Sequence, residues 1–194
     1  MTDATLNVKK AVDSLRDVTG QIALLLKTAD GLMDEHGWGI RLRNCVSGSS
    51  GIDGSFEWVP GYFFRTYSND DYPLITAYVC VILAAPWKGE EKFVTVPLIS
   101  VCWCYWGNSK KPSTELLAGW APCHIWTEKR KDDGTIIFCD VKKQFPKDFK
   151  NGTSEFYSLA LPLADIASSA DLDSKIIKPF VAGVEKQHGR QKGK

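Results

Sequence analysis

The chain has 194 residues and a formal net charge of +1 at pH 7, so no overall field steers it toward nucleic acid or an anionic membrane. Hydrophobic residues make up 44% and charged residues 24%, which excludes a disordered chain and leaves enough apolar material for a buried core. The longest apolar stretch, residues 74–87, is too short to span a bilayer; the first residues lack the basic-then-apolar order of a secretion signal; and the six cysteines read as free thiols, so a cytoplasmic protein is expected.

The first element is a helix over residues 5–35. Val8, Ala11, Leu15, Val18, Ile22, Leu25, Ala29 and Leu32 follow one another at spacings of 3, 4, 3, 4, 3, 4 and 3. That is the a/d repeat of a helix with one narrow apolar seam. Lys9, Lys10, Asp13, Arg16, Asp17 and Lys27 occupy its other faces. Asp3 or Thr5 suits the start, and Gly37 suits the end. Gly20 weakens the middle by about 1 kcal/mol relative to alanine, so a kink or a break into two helices is compatible with the pattern. Unbroken, the helix would run about 45 Å at 1.5 Å per residue, and part of it could extend beyond a sheet.

After the helix, "SGSSGIDG" from Ser47 reads as a loop. Six strands are predicted next, over residues 56–67, 74–85, 93–105, 121–129, 135–141 and 155–163. Each is rich in β-branched and aromatic residues, and turn residues divide them. The breaks are too short for crossover helices, except for residues 112–119, so the sheet should be mainly antiparallel. Asp133-Gly134 marks a hairpin whose loop length, and hence register, stays open.

A C-terminal helix is predicted over residues 173–186, with Pro179 kinking it or delaying its start. The remainder of "KQHGRQKGK" reads as a basic tail. The expected fold class is therefore α+β: a long N-terminal helix, a five- to six-stranded mainly antiparallel sheet and a C-terminal helix. In domain terms, residues 1–37 form the helix, 38–188 the sheet domain with its closing helix, and 189–194 a disordered tail.

"VCWCYWG" raises the question of metal. On a strand, Val101, Trp103 and Tyr105 share one face, and Cys102, Cys104 and Trp106 the other. Both faces are apolar, so the stretch reads as a central strand covered on both sides, with its thiols buried. A zinc site would draw on Cys102, Cys104, Cys123 and His124, with Cys139 in reserve. Residues i and i+2 on a flat strand lie ~6.6 Å apart, wider than two sulfurs on one zinc allow, and no CxxC knuckle occurs. No cofactor is expected. Cys123 and His124 also fail as a nucleophile and base, because neighbours on a strand point to opposite faces.

One segment carries catalytic chemistry. In residues 121–143, Asp140-Val141-Lys142 follows an Asp-Gly turn on an apolar strand, and Asp140 and Lys142 share a face. The segment resembles the core hairpin of PD-(D/E)xK nucleases, in which an acidic-x-Lys triplet follows a strand opened by Pro-Asp. The resemblance implies that Asp140 would hold Mg²⁺ and Lys142 would steady the attacking water or the phosphate charge. It spans only these 23 residues, and Cys123 replaces the metal-binding aspartate. A thiolate is a poor ligand for a hard cation. The other reading of Asp140 and Lys142 is a surface ion pair.

Tryptophans 87, 103, 106, 120 and 126 lie close together in sequence with lysines between them, a composition that could stack single-stranded nucleic acid. The favoured reading makes them core and sheet-edge anchors, leaving Trp120, between Gly119 and Pro122, as the exposed one. The leading expectation is a non-catalytic interaction or assembly module. It would oligomerise or bind a partner protein through Val8, Leu15, Val18, Ile22, Leu25 and Leu32, with Trp120 as an added contact. The alternative is the metal-dependent nuclease.

Overall fold

The apolar repeat does form one helix. In a computed structural model of the chain, which describes residues 3–42, 46–47, 62–83, 96–105, 135–139 and 155–189, helix α1 runs unbroken over Asp3–Glu35. Gly20 lies within it, with no atom near the place a Cβ would take. Gly37 ends it with φ 77°, a backbone state costly for other residues. The Gly37 amide donates to Asp34 O at 2.9 Å, and the Trp38 amide donates to Met33 O at 2.9 Å. These two bonds satisfy carbonyls that the helix end would otherwise leave open.

Among the described residues seven strands follow: β1 (Gly39–Leu42), β2 (Val46–Ser47), β3 (Tyr62–Ser68), β4 (Ile75–Ile82), β5 (Leu98–Tyr105), β6 (Ile137–Cys139) and β7 (Glu155–Pro162). They form one sheet in the order β1-β3-β4-β5-β7-β6, with β2 also on β3, and each pairing is antiparallel. The α+β class expected from sequence is what the chain adopts. β1 and β2 are additions to the predicted strands. The predicted strand at residues 121–129 and the Asp133-Gly134 turn lie outside the described residues.

β7 leads through a short 3-10 turn, Leu163–Asp165, into a helical run. The run comprises α2 (Ser169–Leu172), a wide π turn (Asp173–Ile177) and α3 (Lys178–His188). It starts earlier than predicted because Ser168 caps it. The Ser168 hydroxyl oxygen accepts from the Asp171 amide at 3.1 Å, and Asp171 Oδ2 accepts from the Ala167 amide at 3.2 Å. Proline cannot donate to the carbonyl four residues back and its ring crowds that carbonyl; the wide turn just ahead of Pro179 relieves both. The helix therefore continues to His188, which is buried rather than part of a tail.

The two sheet faces differ in chemistry. One face carries Phe63, Tyr67, Ala77, Val79, Val81, Ile99, Val101, Trp103, Tyr157 and Leu159. Ile22, Leu26, Ala29 and Met33 of α1, and Leu172, Ile176, Ile177, Phe180 and Val184 of the C-terminal run, join these in one core. Trp103 is central to it. It stacks on Tyr157 with ring centres 4.9 Å apart, and Phe180 meets it edge-on at 5.5 Å.

The opposite face is a buried layer of hydroxyls and thiols. Thr66 pairs with Tyr78, Tyr78 with Cys102, and Cys102 with Ser158, which makes a row across β3, β4, β5 and β7. The next row sets Phe64 beside Cys80 and Cys80 beside Ser100. Thr66 Oγ1, Tyr78 OH and Ser100 Oγ are buried with no hydrogen-bond partner among the described residues.

Candidate interaction surface

The surface that stands out is built by α1 alone. Its apolar seam divides at Ile22. From there toward the C-terminus the seam belongs to the core: Ile22, Leu26, Ala29 and Met33 are buried, and Leu25 and Leu32 pack against them. On the N-terminal side the same seam faces solvent, with Val8 65%, Val12 42%, Leu15 37% and Val18 44% exposed. Residues separated by three or four along a helix lie on one face, so the exposed and buried rows are one continuous stripe.

The sheet end of α1 is held by polar contacts as well as packing. The Tyr67 hydroxyl donates to Asp30 Oδ1 at 2.8 Å, and Arg65 Nε lies 3.4 Å from Asp30 Oδ2. Burial, with the Asp30 charge beside it, pushes the Tyr67 phenol far above its ordinary range. At the end of the helix, His36 Nε2 stands 3.7 Å from Asp173 Oδ1, and Lys178 Nζ 2.6 Å from Asp173 Oδ2. These contacts join α1 to β3 and to the C-terminal run. The N-terminal half of the helix then projects from a fixed base.

The sequence-predicted residues therefore separate. Val8, Leu15 and Val18 are exposed. Ile22 is buried in the chain's own core, and Leu25 and Leu32 are half-buried and pack against it. Val12 was not among the predicted contacts, yet it widens the exposed stripe. Its signal was an apolar residue directly beside the a/d seam, at a flanking position where soluble helices usually carry charge. Trp120 lies outside the described residues.

Cys102 and Cys104 are fully buried on the hydroxyl-thiol face, and burial pushes the Cys104 thiol well above its ordinary value. Cys80 shares that face. Among the described residues no grouping of His, Cys, Asp and Glu is placed to hold a metal ion. Cys123, His124, Asp140 and Lys142 lie outside the described residues.

A shallow cleft of about 520 Å³ lies where α1 ends, lined by Asp34, His36, Gly37, Gly39, Ser68, Asn69, Asp70 and Asp71 among others. It is acidic and open to solvent. The Asn69 side chain accepts from the Asp71 amide at 2.8 Å, which shapes the turn between β3 and β4.

Among the described residues no helix is long and apolar enough to cross a membrane. Comparison with protein-family models, with curated proteins and with solved structures gives no match.

Proposed function

We propose that this protein is an assembly module whose N-terminal helix docks onto another helix. The observation that carries this reading is the single apolar stripe of α1, buried from Ile22 to Met33 and left open from Val8 to Val18. A stripe that served only the chain's own sheet would have no reason to continue past it. Exposed apolar residues scattered singly need no explanation, but a row at helical spacing marks a contact surface.

The energetics agree with an association that can be reversed. Burying a valine or leucine side chain contributes roughly 1.5–3 kcal/mol. Val8, Val12, Leu15 and Val18 are about half exposed, so covering them with a comparable stripe contributes about half of that per side chain, a total similar in size to an association cost of about 4–15 kcal/mol. The same contacts support the helix itself. A helix segment with no tertiary packing is marginal in water, and most helical stability comes from an apolar face that is covered.

The test is the particle mass in light scattering, alone and with host extract. A mass above the 21.6 kDa of one chain is expected, and it should collapse in Leu15→Asp. Ile22→Asp is not a substitute, because it attacks the core. A particle of one chain's mass in both conditions removes the reading.

A further inference from the structure

We infer that the occupant of this stripe is a second copy of the chain, paired antiparallel about a two-fold axis close to Asp13; the inference rests on the assembly reading above. Val8 and Leu15 hold a positions of the repeat, and Ala11 and Val18 hold d positions. An antiparallel pair sets a positions against d positions of the other helix. In the central register Val8 meets the second copy's Val18, and Ala11 meets its Leu15. A two-fold axis makes each contact twice, so one surface serves both copies.

Size complementarity favours this register. The small Ala11 opposes the large Leu15, so the layers have similar volume and pack evenly. A parallel pair would set Ala11 on Ala11 beside Leu15 on Leu15, one layer too narrow and the next too wide. It would also bring both sheets to the same end of the pair. In the antiparallel register the two sheets stand at opposite ends. The second copy's helix runs along the stripe only as far as Ile22, where the chain's own sheet takes over.

Charge is also compatible with two copies. The positions flanking the seam are Thr5, Asn7, Val12, Ser14, Thr19 and Gln21, none of them charged. Charged flanks are what select a different, oppositely charged partner helix, and their like-charge clashes are what forbid self-pairing. Here Val12 meets Val12 and Ser14 meets Ser14 across the axis. Farther out, Lys10 lies on the side of the second copy's Asp17. Lys9 lies on the side of its Arg16, whose guanidinium already faces its own Asp13 at 3.8 Å.

The test combines sedimentation equilibrium of the full chain over a range of concentrations with cysteine cross-linking under mild oxidation. Wild type supplies the background from its own cysteines. Expected are a monomer–dimer equilibrium, dissociation strengthened by about tenfold or more in Leu15→Asp, and covalent dimer above background for Ser14→Cys but not for Leu15→Cys. Leu15 is exposed and outside the core, so an unchanged near-ultraviolet circular dichroism signal from the buried aromatic residues in Leu15→Asp separates lost pairing from lost folding. A monomer at every concentration overturns self-pairing; the broader reading survives that result only if a host protein binds wild type and not Leu15→Asp. Cross-linking through Leu15→Cys in place of Ser14→Cys overturns the antiparallel register. A dimer indifferent to Leu15→Asp overturns both readings.

Discussion

The hydroxyl of Tyr67 donates a 2.8 Å hydrogen bond to Asp30 Oδ1, joining the end of β3, next to the sheet's β1 edge, to α1. Tyr67 is fully buried, and the second Asp30 oxygen faces Arg65 Nε at 3.4 Å. Packing against a flat sheet would let a helix slide or rotate; a directional bond to a buried phenol resists both. This contact helps keep the buried row of α1 over the sheet and the exposed row pointing away from it.

Removing either end of that bond should therefore loosen α1 selectively. Tyr67→Phe should cost about 1.5–3 kcal/mol, the range for a hydrogen bond to a charged group. Asp30→Ala should cost more, about 3 kcal/mol, because the phenol and the Arg65 side chain both lose a partner. Urea unfolding measures the two values. Equal costs for both variants would mean that Arg65 contributes nothing at this junction.

Two glycines should respond to alanine in opposite directions. Gly20, in α1, has open space where a Cβ would go, so Gly20→Ala should raise stability by up to about 1 kcal/mol through helix propensity. Gly183, in α3, would bring a Cβ to 2.9 Å from Trp103 Cη2 and 3.1 Å from Ile136 Cδ1. The Trp103 ring is clamped between Tyr157 and Phe180 and has little room to yield. Gly183→Ala should cost about 1–3 kcal/mol by overpacking. Thermal unfolding of the pair checks the contrast.

His188 should give the fold a pH dependence in the mildly acidic range. The ring stacks on Tyr105 with centres 5.0 Å apart and meets Tyr157 edge-on at 5.8 Å. Burial lowers its pKa below the ordinary 6.5, and the nearby Glu155 carboxylate opposes this only in part. The folded chain thus keeps the ring neutral at a pH where the unfolded chain protonates it. Stability from this group is full above pH 6.5 and is lost as pH falls from there through the lower folded-state value. His188→Phe should flatten the melting temperature across that window. Asp171, held below 3.8 chiefly by Lys175 and Ser168, acts only at lower pH and does not confuse the test.

The thiols beneath the sheet should be inert in the native protein. Cys80, Cys102 and Cys104 are buried, and burial raises the Cys104 pKa, which suppresses its thiolate. Alkylation followed by peptide mass spectrometry should label these three only as fast as the whole domain unfolds. Cys104→Ser should destabilise more than Cys104→Ala. It adds a hydroxyl to a face where Tyr78 OH and Ser100 Oγ already lack partners among the described residues. Fast native labelling of Cys102 or Cys104 would contradict their burial.

Much of this architecture is legible before any coordinates. α1 announces itself by an apolar residue every third or fourth position, and Gly37 supplies the positive φ that ends it. β4 and β5 read as central strands because both of their faces are apolar, which the fully buried Val101, Cys102, Trp103 and Cys104 agree with. The division of α1 at Ile22 is not legible, since Val18 and Ile22 are alike in chemistry and spacing; only the extent of the sheet decides which is covered. β1 and β2 are too short for an alternation to register. His188 sits among polar residues, and nothing local shows that Tyr105 and Tyr157 will enclose it. The Ser168–Asp171 cap was available as a signal, with Ser168 five residues ahead of the predicted helix start.

The most direct measurement is amide hydrogen exchange along α1 at low and high protein concentration, in wild type and Leu15→Asp. Residues 22–33 should be strongly protected throughout, because the sheet covers them. Residues 5–18 should exchange quickly when dilute, gain protection as concentration rises, and fail to gain it in Leu15→Asp. Exchange over residues 5–18 that is fast at every concentration, or that slows equally in both proteins, would contradict self-pairing through the exposed stripe.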